Sequence, residues 1–301
     1  MIRADGRDPE PTSIVGCRIR RASLFTLFLC LACDPNVPAR VLDLPPRPAG
    51  APGGTEVARD VRALGLEARE DRIYAEIARG NVPTRIRQLV PIEMKGEISG
   101  REHQMTFWAT PDYLAVGSDE DHLLIPLSPQ MAQRVADLVG GSLPTPRMVD
   151  AVWAAAEARL APQRIQPSDS IGSIRTVGYF ERHNDLIGAL RRLHHVPPDA
   201  FVAGHKKDIV ISSTLATSPG RVAIYGWHRP DGIVNQPLST NAPDAWVAYM
   251  HGVRLVDRDI LVDGVRDDLL EVLRDPELAP VLSHEGVIVP ARYPVLRGEK
   301  R

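Results

Sequence analysis

The sequence predicts an α+β fold: a helical and hairpin N-terminal half, then a strand-rich C-terminal half on a mixed or antiparallel sheet. Three observations predict it. Short apolar runs pair across glycine turns, helical periods come in groups instead of alternating regularly with strands, and no internal repeat is present. A chain of 301 residues that is 44% hydrophobic and 25% charged has enough apolar material for a packed core. A formal charge of −2 provides no global basic field, so no nucleic-acid partner is expected.

The expected order of elements starts with an export signal. Cys17, Cys30 and Cys33 all lie within residues 1–33, and no cysteine follows. Arg18, Arg20 and Arg21 precede the apolar run Leu24–Ala32, which is far too short to span a bilayer, and Ala32 stands directly before Cys33. This arrangement resembles a bacterial lipoprotein signal, which implies cleavage before Cys33, lipidation of Cys33 and a membrane partner reached through that lipid. Cys30 stands where the pattern usually has leucine, and the stretch before the apolar run is long. Export would leave at most one cysteine in the mature chain. That excludes an internal disulfide, a cysteine nucleophile and a cysteine-based zinc site there.

Residues 34–54 contain six prolines and no helical period, which predicts a tether. The first folded part is expected over 55–160. It begins with helical spacing from Thr55 to Ala78, with a break at Gly65, and a short helix over 84–89. Strands are expected over 92–98 and 103–109, joined at Ser99-Gly100, and over 113–117 and 122–125, joined by an acidic turn at 118–121. Ser128 and Gly140 bracket a helix over 129–139, and another is expected over 147–160. A boundary falls at 161–173. The second part, 174–301, is expected to hold a helix to Leu193, strands over 201–203, 209–212, 221–227 and 251–262, and helices over 265–273 and 276–282.

The chemistry concentrates in this second part. Lysine occurs only at 95, 206, 207 and 300, against 32 arginines, so the adjacent Lys206 and Lys207 stand out in Gly204-His205-Lys206-Lys207-Asp208. An ammonium can give up its proton when buried or present a point charge to an oxyanion. Tyr225-Gly226-Trp227-His228 suits a pocket wall, and Met250-His251-Gly252-Val253-Arg254 begins a further strand. The predicted catalytic set is His205, Lys207, Asp208, His228, His251 and Arg254, with Lys206, Tyr225 and Trp227 binding substrate. One imidazole would act as general base, with Asp208 orienting it. No cofactor is expected. The alternative, a divalent metal on His205, Asp208, His228 and His251, matches no compact ligand motif. Ser212, Ser213 and Thr214 lack a GxSxG context. Asp119, Glu120 and Asp121 lack calcium-loop spacing, and His183-Asn184-Asp185 reads as a helix surface.

YGWH followed by MHGVRL resembles the L,D-transpeptidases, which carry an HG dipeptide and then SHGCxR. Met250 replaces the serine and Val253 replaces the nucleophilic cysteine, so that reaction does not carry over. GHKKDIVIS, VAIYGWH and HGVRLV together are similar to blocks of secreted bacterial proteins, which implies export and no particular activity. The expectation is an exported, membrane-anchored envelope protein, a hydrolase or transferase acting on a cell-wall or polysaccharide substrate. The alternative is a non-catalytic ligand-binding or scaffold lipoprotein.

Overall fold

The computed structural model describes residues 38–166 and 172–294. The signal-like segment with Cys17, Cys30 and Cys33 lies outside the described residues. From Pro38 onward the chain forms one compact unit.

The expected tether packs against this unit from its first described residues. Arg40–Val41 (β1) pairs antiparallel with Gln88–Ile98 (β2), and Leu42 is buried. Proline carbonyls serve as acceptors: Trp108 Nε1 donates to the Pro38 oxygen at 3.1 Å and Arg87 to the Pro45 oxygen at 2.8 Å. Proline-rich backbone carries few N–H donors that need partners, so an extended run of this kind docks wherever buried donors seek carbonyls.

Helices Gly54–Val61 (α1) and Leu66–Ala78 (α2) separate at residues 62–65, and a single 3₁₀ turn covers Thr84–Arg87. Strand β2 then pairs along its length with Arg101–Ala109 (β3), turning at Ser99 and Gly100, both in the left-handed region. Ala115–Gly117 (β4) and His122–Leu124 (β5) form the second hairpin. Asp119 and Asp121 are occupied structurally there, accepting from the Arg85 and Thr55 backbone amides respectively. Pro129–Leu138 (α3) is capped by Ser128, whose hydroxyl accepts from the Met131 amide. After Gly141–Ser142 (β6), Thr145 caps Pro146–Ala155 (α4) in the same way, with proline at the first turn. Helix α4 ends five residues before the expected limit because Ala158–Arg159 (β7) turns extended to pair with Val202–Ala203 (β8). Between them, Val177–Leu193 (α5) buries Tyr179, Phe180, His183 and Ile187. His183 is therefore core, contrary to the helix-surface reading.

Lys207–Ile209 (β9), Ile224–His228 (β10) and Val234–Ser239 (β11) follow. Strand β11 has no counterpart in the sequence reading, since VNQPLS lacks apolar alternation and lies at a sheet edge where proline is tolerated. The long strand expected over 251–262 is three pieces: His251–Gly252 (β12), Val256–Asp257 (β13) and Asp259–Val262 (β14). The helix expected from Val265 begins instead as strand Val265–Asp268 (β15), folded onto β14 by a left-handed Asp263-Gly264 turn. Among the described residues beyond it, only Leu269–Val272 (α6) and Ala279–Leu282 (α7) are helical.

The α+β class holds. One seven-stranded sheet runs β1-β2-β3-β13-β6, with β14 beside β3 and β15 beside β14. A four-stranded mixed sheet runs β11-β10-β9-β12, in which β12 lies parallel to β9 and the other pairs are antiparallel. The chain passes from the small sheet to the large one at Val253–Leu255. There the Val253 and Leu255 carbonyls accept from Leu114 and Thr110. Strands from both sides of 161–173 thus share sheets, so the two expected parts, 55–160 and 174–301, interleave. Among the described residues no helix is long and apolar enough to cross a membrane.

Candidate functional site

The small sheet carries Lys207, Asp208, Tyr225, Trp227, His228 and His251 of the residues singled out by sequence, but it sorts them into separate groups. Along β9, alternation sends Lys207 to one face and Asp208 to the other. On the Asp208 face the carboxyl is 2% exposed, Tyr113 Oη donates to Oδ2 at 2.8 Å, and Arg254 Nε lies 3.8 Å from Oδ1. That last separation is too long for a hydrogen bond, so Arg254 acts on Asp208 through charge alone. Burial pushes the Asp208 carboxyl up to about 6, against the lowering pull of Arg254, the Tyr113 hydroxyl and His228. A carboxyl held near neutrality can give or take a proton at the working pH of most enzymes.

His228 ends β10 on the same side. Its Nε2 lies 2.9 Å from Asp150 Oδ1 of α4, which also accepts from Tyr225 Oη at 2.9 Å. With a carboxylate facing it, Nε2 is the nitrogen that donates. The Trp153 ring stacks on the imidazole at 5.5 Å between centroids and fixes its plane. Gly226 is the residue that lets these groups meet. It has φ +93, and a Cβ there would lie 3.3 Å from His228 Nδ1 and 3.4 Å from Asp208 Oδ2. Both groups therefore close around the point a side chain would occupy, a narrow gap that Val149 Cγ1 also borders at 3.2 Å and that only glycine leaves unfilled. Trp227, the next residue, is also left-handed at φ +53. That is an outlier conformation for a bulky side chain, of a kind that costs about 1–3 kcal/mol and gathers at functional sites.

His205 and Arg254 stand away from this gap. Both are wholly buried. Arg254 donates to the Val202 carbonyl at 2.8 Å and to the Thr110 carbonyl, joining β8 to the end of β3. His205 Nε2 lies 3.4 Å from Asp112 Oδ1, and its ring meets the Tyr113 ring edge-on at 4.9 Å. Asp112 in turn binds Arg191. Burial raises the Asp112 carboxyl, but Arg191, His205 and Arg254 outweigh it and hold the group well below the usual carboxylate range. His205 and Arg254 are each engaged by protein groups, His205 beside Asp112 and Arg254 beside Asp208 and two backbone carbonyls, which assigns them positioning roles in place of the expected catalytic ones. Lys206 is likewise buried, with Nζ donating to the Tyr249 carbonyl at 2.7 Å, and burial pushes its ammonium down to about 7. It does not reach a ligand as the sequence reading expected.

Lys207 and His251 share the opposite face, in register across the parallel β9 and β12 pair. Burial, with Lys207 and Lys206 nearby, pushes the His251 imidazole down to about 3, so it is neutral. His251 and Arg254, expected in one catalytic set, have different neighbours, Lys207 for the first and Asp208 for the second. The metal alternative also fails on geometry: among the described residues no three His, Cys, Asp or Glu side chains gather closely enough to ligate one ion. Ser212 and Ser213 both donate to Glu285 Oε1 at 2.8 Å.

The sequence reading missed Asp150, Tyr113 and Trp153. Asp150 is the one acidic residue of α4 and sits among Met148, Val149 and Val152, which was a signal available in the sequence. Comparison with protein-family models, curated proteins and solved structures finds no match.

Proposed function

We propose that this chain is an exported, lipid-anchored envelope protein that catalyses hydrolysis or group transfer on a cell-wall or polysaccharide substrate, with His228 as base and Asp208 as acid. The supporting observation is that His228 Nδ1 and Asp208 Oδ2 border the same gap at Gly226. In the step envisaged, His228 Nδ1 takes a proton from water or an acceptor hydroxyl as that oxygen bonds to the substrate carbon. The bond to the leaving oxygen breaks and Asp208 supplies its proton. Asp150 holds the imidazolium through Nε2, and Arg254 faces the new Asp208 carboxylate. Export is supported by the arginines, the apolar run and Ala32-Cys33 of the sequence.

The test is release of soluble fragments from purified peptidoglycan and a panel of polysaccharides. His228→Asn and Asp208→Asn should each lower the rate by about 100-fold or more. Gly226→Ala should do the same by filling the gap. Unchanged rates in His228→Asn would overturn the assignment. Burial of Asp208 favours the alternative, a non-catalytic ligand-binding or scaffold lipoprotein. Under it the wild type releases nothing while still co-sedimenting with one of these polymers. Palmitate labelling that persists in Cys33→Ala would overturn the lipid anchor.

A further inference from the structure

On the Lys207 face of the small sheet, positive charge accumulates over the Trp227 ring without a carboxylate to balance it. The Lys207 Nζ lies 5.0 Å from the centre of the Trp227 ring, and the Arg164 guanidinium carbon lies 5.2 Å from it. Among the described residues neither cation pairs with a carboxylate. Lys207 donates to the Gln236 side-chain oxygen at 2.7 Å, a neutral partner. Two further groups are buried without any partner, the Trp227 Nε1 donor and His251 Nδ1. Trp227 is 4% exposed, so its indole N–H is cut off from bulk water as well.

Native interiors rarely leave such groups unmatched, and an unmatched donor calls for a ligand or another role. Positive potential reinforces the point. The Lys207 ammonium is pushed down by burial and by Arg164, with no anion opposing them. The left-handed backbone at Trp227, φ +53, holds the indole in this position against a conformational penalty.

We propose that this face binds an oxyanion, a carboxylate or phosphate, held by Lys207 and Arg164 beside the Trp227 ring. Guanidinium and ammonium together suit such a group, the first through its planar donor fork and the second as a point charge. The inference names a ligand class for a second site, acidic glycans, and in that respect rests on the polysaccharide reading above. The anion site and the acid–base gap occupy opposite faces of β9, so each can fail alone.

The experiment titrates the full chain, in detergent and carrying ¹⁵N-labelled tryptophan, with glucuronate, glucose 6-phosphate, inorganic phosphate and glucose. The readout is the Trp227 indole resonance, assigned with Trp227→Phe. At least one charged sugar should shift that resonance, and glucose should not. Glucuronate alone identifies a carboxylate, and glucose 6-phosphate alone a phosphate ester. Arg164→Gln and Lys207→Gln should each weaken binding by about tenfold, whereas Asp208→Asn should leave it intact. Arg164 is exposed, so its variant separates lost binding from lost folding. Binding of inorganic phosphate as tight as that of the sugars supports the oxyanion site and refutes the glycan class. No shift with any anion, equal binding of glucose, or wild-type affinity in both variants overturns the proposal.

Discussion

Replacing Asp208 by asparagine should stabilise the protein at neutral pH and not at acid pH. The carboxyl is 2% exposed, and its folded value of about 6 stands above the ordinary 3.8. Between these values the folded chain keeps a proton that the unfolded chain has released. Stability is therefore fully present below about pH 4 and is lost as pH rises through about 6. At about 1.4 kcal/mol per pH unit the loss amounts to about 3 kcal/mol. Asparagine has nearly the same shape, can accept from Tyr113 Oη and does not ionise, so it escapes that loss. The assay is urea unfolding of the wild type and Asp208→Asn from pH 3.5 to 8, compared as a difference so that groups titrating in both proteins cancel. The difference should move by about 3 kcal/mol toward the variant between pH 4 and 6.5 and stay level above. A pH-independent difference would refute the argument that burial keeps the Asp208 proton on, and with it the case for Asp208 as an acid.

Lys206 should show the opposite slope. Its ammonium falls from 10.5 to about 7 through burial, so the unfolded chain binds the extra proton and stability rises as pH increases from about 7 to 10.5. Lys206→Met should flatten unfolding curves across that window, and an unchanged slope would show that Lys206 is solvated. Arg191→Met should leave the buried Asp112 carboxylate without its principal cation, at a cost of about 3 kcal/mol in urea unfolding. A loss under about 0.5 kcal/mol would place this pair among solvent-screened ones.

The features legible in the sequence were local. The Ser99-Gly100 turn, the Ser128 cap and the break at Gly65 were all legible, because turn and cap chemistry acts within a few residues. Clustering of chemistry at 205–208, 225–228 and 250–254 was legible too, and these segments do meet, as β9, β10 and β12 of one sheet. Only the tertiary structure decided which side chains face each other. Alternation separates Lys207 from Asp208, and the left-handed Gly226 and Trp227 carry His228 to the Asp208 side. Arg254 lies beside Asp208, and not beside His251, because the chain changes sheets just after Gly252. Asp150 and Tyr113 come from remote segments whose packing no local pattern encodes. The docked proline-rich segment follows the same rule, since its carbonyls find donors such as Arg87 and Trp108 only once the large sheet exists. Short-range propensity writes elements into a sequence, whereas burial, facing and charge pairing depend on contacts between residues far apart in the chain.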